Sequence, residues 1–90
     1  MSKRKPTMEE ILIREYNSAE LLLEKSKRAG LTGENLEKMD NFLLEIGERV
    51  FSFDGGTSYS YTRYKEIKEF LYVYKGKLIG YLKSREKKRG

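Results

Sequence analysis

The chain has 90 residues, a formal net charge of +5, no cysteine and no histidine, and its length supports one domain. Without cysteine it has no disulfides or thiolate metal sites, and without histidine it lacks the commonest metal ligand and the usual general base near neutral pH, so neither a metal or cofactor site nor an enzyme is expected. Because no apolar run approaches the roughly 18 residues of a membrane span, and no signal-peptide core follows the basic start, the sequence predicts a cytoplasmic protein.

The surplus positive charge lies at the two ends of the chain. Residues 1–7 carry a charge of +3 and residues 83–90 a charge of +4, so the residues between them sum to −2. Basic tails on a near-neutral body are a common way to hold a polyanion without sequence preference. The alternative is that the charged ends only keep a small domain in solution.

The segment from Thr7 to Ala29 has helical spacing. Thr7 and Glu10 form a capping box, and apolar residues recur at steps of three and four. Because Asn17 and Ser18 are good N-cap residues, the segment is predicted to be either one long helix or two helices with a break there. Basic residues in the last turn, followed by Gly30, predict where it ends.

A second helix is predicted to start at Thr32 or Gly33 and to be interrupted by Gly47. Its buried stripe consists of Leu36, Met39, Leu43 and Ile46. Two β-prone runs, residues 49–53 and 57–61, then flank Asp54-Gly55-Gly56 with period-two alternation. This pattern predicts a β-hairpin.

A third helix is predicted from about Thr62 onward, with a coiled-coil-like seam. The seam has heptad spacing and consists of Tyr64, Ile67, Leu71, Tyr74, Leu78 and Tyr81. A second hairpin within residues 70–82, turning at Lys75-Gly76, is the competing interpretation, and the heptad spacing favours the helix. Gly76 and Gly80, four residues apart, either let two helices approach closely or weaken this helix.

Residues 18–39 resemble a helix-turn-helix motif, with Gly30 in the turn and Ser26 as the small residue where two helices touch. Lys25 departs from the pattern, since an apolar residue is usual there. With the hairpin as a wing, residues 8–62 are similar to a winged helix-turn-helix domain, a mainly α (α+β) fold. The long helix after it, residues 63–84, resembles the PadR-like arrangement, in which that helix dimerises, and a small archaeal plasmid-segregation adaptor is one specific form of the resemblance. A basic arm (residues 1–7) and a basic tail (residues 85–90) complete the predicted organisation.

The resemblance implies a homodimer that binds double-stranded DNA at a palindromic site, as a transcriptional repressor or a plasmid-partition centromere-binding protein. A further protein partner in such a complex is compatible with it. The helix from Thr32 to Ile46 would enter the major groove, and the heptad seam would form the dimer interface. The residues implied to contact DNA are Lys3, Arg4, Lys5, Lys27, Arg28, Thr32, Asn35, Lys38, Asn41, Arg49, Thr57, Ser58 and Arg63.

The main alternative is a three-helix bundle, with helices near residues 8–29, 33–52 and 60–83, that acts as a protein-interaction or inhibitor module and does not bind DNA. The charge of residues 8–56, which carry six basic and eleven acidic groups, opposes DNA binding by this part of the chain, so DNA affinity would have to come from the tails, the wing and Arg63. Residues 49–61 distinguish the two interpretations, because a hairpin supports the wing and a helix through Phe53 removes it. For the tyrosines in the last third of the chain, a role in the core or in an interface is favoured over a role as platforms for base stacking.

Overall fold

The computed structural model describes residues 6–89, with side chains described through residue 86. In this range the chain forms three helices: α1 (Met8–Arg28), α2 (Gly33–Phe51) and α3 (Ser60–Arg89). The ring of Tyr16 in α1 packs against Phe51 at the far end of α2, so α1 and α2 are antiparallel. α3 runs parallel to α1, because Lys75 pairs with Glu15 and the turn after α1 lies beside Arg85. Within the described residues no helix combines the length and the apolarity that crossing a bilayer requires.

α1 is one continuous helix, so the break considered at Asn17 and Ser18 does not occur. The hydroxyl of Thr7 accepts a hydrogen bond from the backbone N–H of Glu10 at 3.2 Å, as the capping box predicted. At the other end Gly30 has a φ of 113°, and the N–H of Leu31 donates to the carbonyl of Ser26 at 2.9 Å. This hydrogen bond is that of the Schellman motif, which ends many helices. The motif requires positive φ at the residue after the C-cap, a conformation that glycine adopts without steric cost.

The core lies between all three helices. Its fully buried members include Leu12 and Ala19 of α1, Ile46 of α2, and Leu71 and Leu78 of α3. Tyr74 of α3 is also fully buried, and its hydroxyl donates to the carbonyl of Met39 at 3.0 Å. The heptad seam predicted as a dimer interface is therefore placed inside the protein, where it packs on α1 and α2 of the same chain. Its four central residues are buried and the two at its ends, Tyr64 and Tyr81, are partly buried.

The predicted β-hairpin wing is wrong, and with it the α+β winged helix-turn-helix fold, because residues 6–89 contain no strand. α2 continues through Gly47 to Phe51, since Val50 extends the buried stripe of the helix. A loop follows, in which Asp54 accepts a hydrogen bond from the N–H of Gly56 at 2.9 Å. The predicted hairpin turn is therefore a loop between two helices, and neither Gly55 nor Gly56 has the positive φ of a tight hairpin turn.

α1 and α2 form an αα-hairpin and do not cross as in a helix-turn-helix. In a right-angled crossing, Tyr16 and Phe51 would lie about 20 Å and about 27 Å from the turn along their helices, and so about 34 Å apart. Their ring centroids are 5.4 Å apart. The helix predicted to read DNA is therefore packed along α1 over its length, and the architecture is that of the three-helix alternative.

α3 carries two glycines that no contact within the chain explains. The helix interpretation of residues 70–82 is confirmed, and Gly76 and Gly80 both lie within that segment. Apart from the adjacent backbone of α3 itself, no atom of the described residues lies within 4 Å of a Cβ atom built at either position. Because each glycine destabilises a helix interior by about 1 kcal/mol relative to alanine, the two together cost about 2 kcal/mol.

Candidate nucleic-acid interface

The charges of the chain are segregated by helix. α3 carries ten basic and three acidic residues, a net charge of +7, whereas α1 has a net charge of −1 and α2 of −3. The sequence analysis assigned the surplus positive charge to the two ends of the chain. The structure places residues 83–89 of the second end in the same continuous helix as five further basic residues. The positive surface is therefore one helix of the bundle.

The residues predicted to read bases are spread along α2, and the charge around them is negative. Thr32 is the N-cap, and Asn35, Lys38 and Asn41 are exposed. Asn35 and Lys38 line a shallow depression that also includes Lys77 and Tyr81 of α3. Five acidic residues on the same helix, against two basic ones, repel phosphates near these side chains.

The two cations predicted at the end of α1 lie in different surroundings. Lys27 forms an ion pair with Glu24 at 3.4 Å, one helical turn away. Arg28 lines a separate depression with Arg85 and Glu86 of α3. The predicted arm residues Lys3, Arg4 and Lys5 lie outside the described part of the chain.

Three predicted residues do come together, in a groove of about 380 Å³ between the end of α2 and the start of α3. Arg49, Thr57 and Arg63 line it, and Ser58 lies exposed in the loop beside it. The guanidinium of Arg49 stacks over the ring of Phe70 at 5.3 Å from its centroid. Asp54 and Glu66 also line the groove. Among the described residues, however, no carboxylate forms an ion pair with Arg49 or Arg63.

A cluster of exposed aromatic and basic side chains adjoins this groove at the start of α3. We refer to Tyr59, Tyr61, Arg63, Lys65 and Lys68 as the aromatic–basic cluster. Tyr59 and Arg63 also line the groove, whereas Tyr61, Lys65 and Lys68 lie on another face of α3. Tyr59 is 74% exposed and Tyr61 is 63% exposed, and the ammonium of Lys65 lies 5.4 Å from the centroid of the Tyr61 ring. The ammonium of Lys68 lies 5.2 Å from the centroid of the next ring along the helix, that of Tyr64. Exposed rings beside cations are the side chains that single-stranded nucleic acids use for stacking and phosphate contact.

The sequence analysis did not single out Lys65 and Lys68. The heptad pattern could have identified both, because it places them outside the apolar seam and so predicts that they are exposed. The other positions outside the seam are also rich in lysine. The exposed tyrosines were noticed but were interpreted together with the buried ones. The helix periodicity separates them, since Tyr74 is on the seam and Tyr61 is not.

The opposite side of the bundle, the cleft between α1 and α2, is acidic and partly apolar. Glu20, Glu24 and Asp40 line this cleft together with Leu44, which is exposed. Burial raises the pKa of Tyr16 on the same side, and the nearby carboxylates of Glu20 and Asp40 raise it further. This cleft therefore repels polyanions, in contrast to α3.

No set of three or more acidic, cysteine or histidine side chains suited to a metal ion occurs in the described part of the chain. No protein-family model, no curated protein and no solved structure matches this chain.

Proposed function

We propose that this protein binds nucleic acid through phosphate contacts made by α3. The observation that carries the proposal is the segregation of charge, with +7 on α3 and −4 on α1 and α2 together. A positive helix on one side of a bundle provides the electrostatic footprint of a nucleic-acid-binding protein. The aromatic–basic cluster and the groove beside it add aromatic rings and the guanidinium groups of Arg49 and Arg63 to that surface.

The arrangement supports contact with the backbone over the reading of bases. α2 lies along α1 in an αα-hairpin, and its own charge is negative, so it is a poor element for entry into a major groove. Phosphate contacts position a protein without carrying sequence information. We therefore expect little discrimination between sequences, and we expect single strands to gain additional affinity from stacking on Tyr59 and Tyr61.

Fluorescence anisotropy with labelled DNA of random sequence, single-stranded and duplex, tests this proposal across a salt series. The informative variant replaces Arg63, Lys65 and Lys68 with glutamine. We expect the logarithm of the association constant to fall linearly with the logarithm of the salt concentration. In this variant the magnitude of that slope should be smaller by roughly 2 to 3, because each lost phosphate contact reduces it by about 0.7 to 0.9.

The matched control removes three charges from the other helices, by replacing Arg14, Lys25 and Lys38 with glutamine. The control should retain most of the affinity and slope of the wild-type protein. Equal losses in both variants contradict the assignment to α3, because they show that only the total charge matters. The absence of binding to either DNA at low salt contradicts the proposal as a whole.

A second candidate function is protein binding at the cleft between α1 and α2. Leu44 and Phe51 are both more than half exposed. Leu44 lines the cleft with Glu20, Glu24 and Asp40, and Phe51 packs on the ring of Tyr16, which also lines it. Exposed apolar residues bordered by carboxylates suit a partner with apolar and basic side chains, such as a basic amphipathic helix. This candidate corresponds to an interaction module that does not bind DNA.

Titration with a synthetic basic amphipathic peptide, followed by NMR, tests the second candidate. We expect shifts at residues that line the cleft, and we expect them to disappear in the Leu44→Asp variant. Shifts confined to α3, or shifts that are unchanged in Leu44→Asp, contradict it. The matched control is Leu21→Asp, which introduces the same charge at another exposed leucine of the bundle.

A further inference from the structure

Gly76 and Gly80 occupy the face of α3 that points away from the core. The core-facing seam of this helix includes Leu71, Tyr74 and Leu78, and at 100° per residue Gly76 lies nearly opposite that seam. In the described part of the chain, no other segment comes within 4 Å of a Cβ atom built at either glycine. The helix therefore bears the cost of two glycines without any use for them in the isolated chain, and close approach of another backbone is the physical reason for glycine in such a place.

The same face carries large apolar side chains that the chain leaves uncovered. Tyr72 is 78% exposed, Val73 is 45% exposed and Ile79 is 40% exposed. All three lie within about 60° of the direction of Gly76 on the helix. Glu69 and Lys83 lie within about 20° of it, seven residues before Gly76 and seven after it. We refer to these seven residues, including Gly80, as the outer face of α3.

The outer face is complementary to itself when two helices pair antiparallel about Gly76. With a two-fold axis at the level of Gly76, residues equally far before and after it lie at equal heights. Glu69 is then level with Lys83 of the partner subunit, and Tyr72 lies beside Ile79 of the partner subunit. In a parallel pair, by contrast, Glu69 would meet Glu69 and Lys83 would meet Lys83.

Val73, Gly76 and Gly80 of the outer face are also complementary to their copies in the same register. Val73 lies over Gly80 of the partner subunit, where the missing side chain leaves space for it, and Gly76 meets its own copy at the axis. Gly76 is also close to the middle of α3, so this pairing overlaps the two helices over almost their whole length. The charge pairing, the packing at the glycines and the overlap of the two helices all indicate that a second copy of this chain covers the outer face.

We propose that the protein forms an antiparallel homodimer through the outer face of α3, with closest approach at Gly76. The interface is opposite to the heptad seam, which is used inside each subunit. Pairing places Lys65 and Lys68 of one subunit near Lys83 of the partner subunit, so each end of the dimer is strongly positive. We expect added salt to strengthen the dimer by screening this repulsion, which is the opposite of its effect on nucleic-acid binding.

Sedimentation velocity of the full chain without nucleic acid tests this proposal, at concentrations from about 5 µM to about 500 µM, the range in which small interfaces associate. We expect a monomer–dimer equilibrium that shifts toward dimer with concentration and with salt. In Gly76→Leu we expect the dissociation constant to rise at least tenfold, because the leucine prevents close approach. The matched control is Asn17→Leu, which adds similar bulk at an exposed position of α1 and should leave the equilibrium unchanged.

Two further measurements keep the test independent of folding. Leucine favours a helix more than glycine does, so the thermal midpoint of dilute Gly76→Leu should rise above that of the wild-type protein while dimerisation is lost. Glu69→Lys should weaken the dimer, Glu45→Lys on α2 should not, and the double variant Glu69→Lys with Lys83→Glu should restore it. A wild-type protein that is monomeric throughout the range, a dimer unaffected by Gly76→Leu, or a double variant as weak as Glu69→Lys overturns the proposal. Because nucleic acid is absent from these experiments, their failure leaves the proposed function untouched.

Discussion

The hydroxyl of Tyr74 provides a quantitative test of the packing between α2 and α3. Tyr74 is fully buried, and its hydroxyl donates to the backbone carbonyl of Met39 at 3.0 Å. In Tyr74→Phe this hydrogen bond is lost, but the carbonyl of Met39 keeps its partner within α2. We therefore expect the free energy of unfolding to fall by only about 1 kcal/mol near neutral pH, as measured by urea titration followed by circular dichroism.

At high pH, Tyr74→Phe should instead raise the free energy of unfolding relative to that of the wild-type protein. Burial raises the pKa of the Tyr74 hydroxyl well above its usual value of 10, and the charge of Asp40 raises it further. Because the folded chain favours the neutral phenol, the contribution of Tyr74 to stability is fully present below pH 10 and is lost as the pH rises above 10. The loss has a slope of about 1.4 kcal/mol per pH unit.

Tyr74→Phe lacks this loss, whereas every other titrating group is common to both proteins. The two stability curves should therefore cross about one pH unit above 10, where the lost ionisation energy equals the lost hydrogen bond. Above the crossing the variant should be the more stable protein. A difference between the two proteins that stays constant from pH 8 to pH 12 would refute the placement of this hydroxyl in the core.

Three further substitutions test local features of the fold, each by thermal or urea unfolding. Gly30→Ala should lower the free energy of unfolding by about 1–2 kcal/mol, because residue 30 has a φ of 113°, and no change would contradict that turn. Gly47→Leu should lower it by about 1–3 kcal/mol, since even a Cβ atom there would lie 2.9 Å from the hydroxyl oxygen of Tyr16, whereas a neutral effect would mean that α1 and α2 are farther apart. Thr7→Ala should cost about 1 kcal/mol through loss of the N-cap, and Thr7→Ser, which keeps the hydroxyl, serves as its control.

The helices could be predicted from the sequence because their apolar spacing and end signals agree. The cap at Thr7, the glycine at position 30 and the start of α2 at Gly33 are local features, and each is present in the structure. The long α3 was also predictable, since its seam has strict heptad spacing. The alternative with three helices placed five of the six boundaries within one residue of the observed ones, and α3 continues six residues beyond its predicted end.

The hairpin prediction failed because β propensity was weighed without the helical stripes on either side. Val50 continues the stripe of Leu43 and Ile46 at steps of three and four, and Ser60 continues the seam of α3 backward by the same steps. Burial against the rest of the bundle outweighs the preference of Val50 and Phe51 for strands, because β propensity largely reflects packing context. The turn residues at Asp54-Gly55-Gly56 are compatible with both folds, so they could not decide between them.

The candidate site was less predictable than the fold, because it depends on which side chains a helix turns away from its partners. α3 has apolar residues on opposite faces, with Leu71 and Leu78 toward the core and Tyr72 and Ile79 toward solvent. In sequence these two sets merge into one apolar helix, and the seam with the better heptad was assigned to the dimer. The bundle uses that seam for itself, since α1 and α2 have no other surface against which to bury their own stripes. The dimer that we propose therefore uses the second face, where the glycines stand, and Lys68 and Lys77, about 80–100° from Gly76 around the helix, remain beside that face for a polyanion.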